Sequence, residues 1–178
     1  MGILFWLTGC AALDRPPCVV LAEQLQYCLQ PPARAGNFTA SQQVDVLWKH
    51  RKEVTLAELE NEGEVFTMAV LSPMGQKLLQ LKQVGNRVES LGGLASGFDT
   101  SVILALIQLA LWPADDVVLG LGGEFTWFAD HTHRYLESSG KVLMQSFVEG
   151  ALPTPEVLLM RLPEHHLELT IRTLKERE

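Results

Sequence analysis

The sequence predicts an α+β fold that is mainly β, with about ten strands and two or three helices. Three observations carry this expectation. Five strand-length segments separated by tight turns run from Val44 to Leu91, a nearly all-apolar helical segment follows, and five more strand-length segments end at Leu174. Tight turns make successive strands antiparallel, because parallel strands need long crossovers. The chain has 178 residues, 47% hydrophobic and 20% charged, which suits one domain with a core of its own.

At the N-terminus, Ile3 to Leu7 is a short apolar stretch that ends in Leu7-Thr8-Gly9-Cys10 and is followed by Ala11-Ala12-Leu13. A hydrophobic segment followed by small residues is the layout of an export signal. The alternative is a buried strand that ends in cysteine. Pro16-Pro17, Pro31-Pro32 and Gly36-Asn37 then punctuate the chain, and Val19 to Leu29 between the proline pairs predicts a helix of about three turns. Cys18 and Cys28 enclose about ten residues; in an exported chain they either form a disulfide or remain thiols.

The first meander begins where Val44, Val46 and Trp48 alternate with Asp45, Leu47 and Lys49. Its next strand starts with Val54 and Leu56 and turns at Asn61-Glu62-Gly63. Val65–Leu71, Lys77–Val84 and Arg87–Leu91 complete it, joined by Ser72-Pro73-Met74-Gly75 and Gly85-Asn86. Gly92, Gly93 and Gly97 read as a hinge. Asp99-Thr100 caps a helix through Leu111 that Trp112-Pro113 stops, and only Ser101 and Gln108 in it are polar. Such a helix is either buried all round or covers an apolar surface. We therefore expect Ile103, Leu106, Ile107, Leu111 and Trp112 to line an apolar cavity, or fill a core, with Trp48, Phe66, Met68 and Leu81. A second short segment covers Ala114 to Leu121. The last strands are Glu124–Phe128, Thr132–Glu137, Lys141–Val148, Val157–Leu162 and Leu167–Leu174, the final one with Leu167, Leu169 and Ile171 on its buried face.

The chemistry-bearing residues point away from catalysis. A net charge of −7 with scattered basic residues makes a poor partner for nucleic acid. No uninterrupted apolar run reaches the roughly 18 to 20 residues of a spanning helix. His131 and His133 near Asp130 have no evident third ligand, His165-His166 reads as a surface pair in a turn, and Glu58 and Glu60 suit an exposed face. No nucleophile elbow, phosphate loop or zinc motif is present. The expectation is a protein that is not an enzyme and uses neither cofactor nor metal.

Leu7-Thr8-Gly9-Cys10 resembles the bacterial lipobox, although no Lys or Arg precedes the apolar run. The resemblance implies acylation of Cys10 as the first mature residue, and Ala11 in place of Asp favours the outer membrane. Lipobox, meander, apolar helix and second meander, in that order, resemble the lipoprotein-localisation proteins LolA and LolB. That likeness implies an incomplete antiparallel barrel whose concave face is covered by helices and holds acyl chains. Gly75 with Leu78 and Leu81, Leu109 to Pro113, Arg134 and Leu136 before Gly140, and Leu167, Leu169 and Ile171 resemble an uncharacterised outer-membrane lipoprotein family associated with aryl polyene biosynthesis clusters. The chain then divides into a signal segment (1–9), an acylated tether with its leading helix (10–40) and a lipid-binding-like half-barrel (41–178). The implied protein is a monomer on the periplasmic face of the outer membrane that passes on a lipid or acylated ligand, with a periplasmic carrier as partner. By the LolB likeness, Met74 touches the membrane. The reading from a different class is an assembly lipoprotein that binds a protein through its sheet edge.

Overall fold

The computed structural model describes residues 16–92 and 99–174. The expected Cys10 anchor and the Gly93 and Gly97 part of the expected hinge lie outside the described residues. A ten-stranded antiparallel sheet carries the fold. Its strands are β3 (Phe38–Trp48), β4 (Arg51–Glu62), β5 (Val65–Leu71), β6 (Lys77–Val84), β7 (Arg87–Ser90), β9 (Thr126–Ala129), β10 (His133–Ser138), β11 (Lys141–Glu149), β12 (Val157–Leu162) and β13 (Leu167–Thr173). Their order is β7-β6-β5-β4-β3-β13-β12-β11-β10-β9, so two meanders join through the β3–β13 pair. The sheet does not close on itself.

Hairpin chemistry explains the register. Lys49-His50, Gly63-Glu64, Gly85-Asn86 and Ser139-Gly140 are two-residue loops between paired strand ends, and each contains at least one residue with positive φ. Asp99 caps α1 (Thr100–Leu111) by accepting from the Ser101 N–H at 2.8 Å. Pro113 then starts α2 (Ala114–Gly120), which carries Asp115 and Asp116 in its first turn, where the helix dipole favours acids.

The leading helix is not formed. Instead, β1 (Cys18–Ala22) and β2 (Leu25–Cys28) make a hairpin that pairs through β2 with β8 (Leu121–Gly123). Two β-branched valines, and alternate burial of Leu25 and Tyr27 with Gln26 exposed, favour the strand period over the helical one. Cys18 and Cys28 are register partners in this hairpin and are joined by a disulfide. The segment is more than a tether, since Val19, Leu25, Tyr27 and Leu29 belong to the main core. Gly120 ends α2 against β2, where a Cβ would lie 2.5 Å from the Cys28 carbonyl oxygen. Arg34 pairs with Asp116 at 2.6 Å and ties the turn at Pro32–Ala35 to α2.

Candidate functional site

The core-facing side of the sheet meets α1. At one end, Trp112 meets both Phe38 and Phe66 edge-to-face, with Phe66 and Trp112 centroids 5.6 Å apart, while the two phenyl rings are tilted to each other. Met68 and Leu81 are cross-strand partners in the next row. Phe66, Met68, Leu81, Leu111 and Trp112 are all buried and packed in one core cluster. Five of the expected cavity residues thus fill a core.

Trp48 does not join them. It shares a face of β3 with Phe38, but β3 starts at Phe38 instead of Val44, which puts Trp48 ten residues and roughly 33 Å along the strand. There it is 39% exposed, with the Lys49 ammonium 5.0 Å from its ring centroid. Phe38 takes the place expected of it.

Ile103, Leu106 and Ile107 are different again. Together with Val102 they are only half-buried, on the side of α1 opposite Leu104, Ala105 and Gln108. All four aliphatic side chains pack against the core and, among the described residues, keep part of their surface accessible. The two marked grooves, of about 560 and 740 Å³, lie on the outer face of the sheet. Neither runs along α1.

A polar knot fixes the buried side of the helix. Gln108 Oε1 accepts from the Tyr27 hydroxyl at 3.1 Å and from the Gln30 N–H at 2.8 Å. Gln108 Nε2 donates to the Gln30 carbonyl at 2.9 Å and to Gln83 Oε1 at 3.0 Å. Gln83 Nε2 in turn donates to the carbonyls of Gln30 and Gly85. Burial, with a smaller contribution from Asp116, raises the Tyr27 pKa far above the usual phenol value, so Tyr27 stays a donor. The helix therefore has one pinned face and one open face. Gln108 was the sole signal in the sequence, being the one polar residue inside the helix.

Arg134 on β10 reaches the far end of α1. It is 2% exposed, and its Nη1 donates to the Leu109 carbonyl oxygen at 2.8 Å, one of the carbonyls a helix end leaves unpaired. Burial lowers its pKa to about 10, which keeps it charged at neutral pH. Met74 is 93% exposed at the β5–β6 turn, between the third and fourth strands of the first meander. His131 precedes β10, while His133 stacks on Phe147 at 4.7 Å, so the two imidazoles do not share a strand face. Among the described residues no three His, Cys, Asp or Glu side chains gather as metal ligands.

No curated protein matches the chain. A family model described as Protein of unknown function (DUF3261) matches residues 39–175, which run from β3 past β13, and the chain belongs to that family.

Proposed function

We propose that this chain is an outer-membrane lipoprotein, anchored through Cys10 on the periplasmic face, that binds a lipid-like acyl or polyene ligand and passes it on without chemistry. The observation that carries the reading is the half-buried face of α1: Val102, Ile103, Leu106 and Ile107 pack against the core and, among the described residues, keep part of their aliphatic surface accessible. On this reading the open ten-stranded sheet is an incomplete barrel of the LolA and LolB kind, with α1 and α2 covering its concave side. That assignment is analogy of architecture. Transfer of an apolar chain needs apolar walls and a difference in affinity between donor and acceptor, and no titrating group need act.

The anchor and the cargo are tested separately. Globomycin or Cys10→Ala abolishes acylation if the lipobox reading holds; a Cys10→Ala protein that still fractionates with outer membrane removes the anchor. Organic extraction of protein purified without detergent yields lipid if the cargo reading holds.

A second reading, protein binding at the sheet edge, is favoured by one observation. Phe128 on the terminal strand β9 is 49% exposed and Phe147 nearby is 43% exposed, on either side of His133. Extraction that yields no lipid favours this reading.

A further inference from the structure

We infer that Arg134 and Ser146 form an oxyanion site at the inner end of α1, which receives the carboxylate or phosphate oxygens of an amphiphile's head group. This rests on the lipid-handling reading and names the chemistry of its ligand. Arg134 on β10 and Ser146 on β11 are direct register partners, 2% and 0% exposed. Side chains opposite each other on one sheet face begin about 5 Å apart. Among the described residues, Arg134 Nε has no hydrogen-bond partner, and neither has Ser146 Oγ.

Buried polar atoms are ordinarily satisfied, and buried charges ordinarily paired. Here an orphaned donor on a cation lies across the β10–β11 pair from an orphaned hydroxyl, and one acceptor oxygen placed between them would satisfy both. Among the described residues, the Leu109 carbonyl oxygen takes Nη1, and the Tyr27 hydroxyl donates to Gln108. Asp116, the nearest acid acting on Tyr27, is held by Arg34. The carbonyl end of α1 offsets only about half a unit of charge. On its other side Arg134 has Ala129 of β9, which offers no polar side-chain atom.

An oxyanion here accepts from Arg134 Nε and from the Ser146 hydroxyl, two charge-assisted hydrogen bonds. Leu109, Leu106 and Val102 follow one another back along α1 at helical spacing, from buried Leu109 beside the guanidinium to the half-buried Leu106 and Val102.

The test uses delipidated protein and two fluorescent probes, cis-parinaric acid and its methyl ester, on wild type, Ser146→Ala and Arg134→Gln. Ser146→Ala removes a hydroxyl that bonds nothing among the described residues, so the fold should be retained; melting curves check Arg134→Gln, which also releases Leu109. Wild type should prefer the acid by about tenfold or more, and Ser146→Ala should lose about fivefold for the acid and nothing for the ester. Competition by oleate or by lysophosphatidate assigns the head group as carboxylate or phosphate, and either supports the site. Equal affinity of acid and ester for wild type, or a full preference kept by Ser146→Ala, overturns the anion site and leaves lipid handling standing. If neither probe binds, both fall.

Discussion

The Gln108 side-chain amide donates to Gln83 at 3.0 Å with both residues wholly buried, so the middle of an apolar helix is fastened to β6 by a polar bond. In a low-dielectric interior such a bond is secure only while every member is satisfied. Tyr27 and Gln30 complete the set, and so the hairpin before the main sheet helps to decide where α1 lies. On the lipid-handling reading, a ligand would use the other face of α1.

Gln108→Leu leaves the Tyr27 hydroxyl, the Gln30 N–H and Gln83 Oε1 without their partner and should cost roughly 3 kcal/mol or more. Gln83→Leu alone should also destabilise, while the double variant should cost less than the sum, because the two removed groups satisfied each other. Urea unfolding of the four proteins checks this. Strict additivity would mean that the two amides do not act as a pair.

Reducing the Cys18–Cys28 bond, or replacing both cysteines with serine, should lower stability by about 3 kcal/mol, the loop-entropy value for roughly ten residues. The bond sits two residues before Gln30, whose backbone holds Gln108. Hydrogen exchange should therefore speed up in α1 as well as in the hairpin. Exchange confined to the hairpin would separate the disulfide from the helix.

Leu104 and Leu106 are two residues apart on α1, one 0% exposed and the other half-buried. Leu104→Trp overpacks a filled core and should cost about 1 to 3 kcal/mol. Leu106→Trp should change the melting temperature little and block probe binding. Equal destabilisation by the two would make the open face part of the core.

Met74 at 93% exposure is a flexible apolar side chain at a turn tip. In the lipidated protein, Met74→Glu should leave stability and ligand loading unchanged and slow transfer to liposomes. Unchanged transfer would make Met74 a turn residue without a delivery role.

Most of the sheet was legible because its turns are short and its strands alternate. Val157–Leu162 was placed to the residue, and α1 and its Asp99 cap were read from an aliphatic run between a capping acid and Trp112-Pro113. The hairpin at Cys18–Cys28 was not, because four- and five-residue strands give little period, and their pairing with β8 depends on chain about a hundred residues away. Trp48 was misplaced for a related reason: Phe38 to Gln43 is rich in polar residues, and only its pairing with β4 makes it strand. Gln83 and Ser146 gave no signal in the sequence, and Arg134 entered only as a residue that carries the family resemblance. Their roles come from which side of each strand meets α1, and strand alternation alone does not say what lies opposite.

The central claim, that the chain carries a lipid-like ligand against the open face of α1, is tested most directly by native mass spectrometry of the protein isolated from its cellular source without detergent. The account predicts a species heavier than the acylated chain by one amphiphile of defined mass, lost in Leu106→Trp. A single species at the mass of the acylated chain alone, for wild type and variant alike, would contradict it.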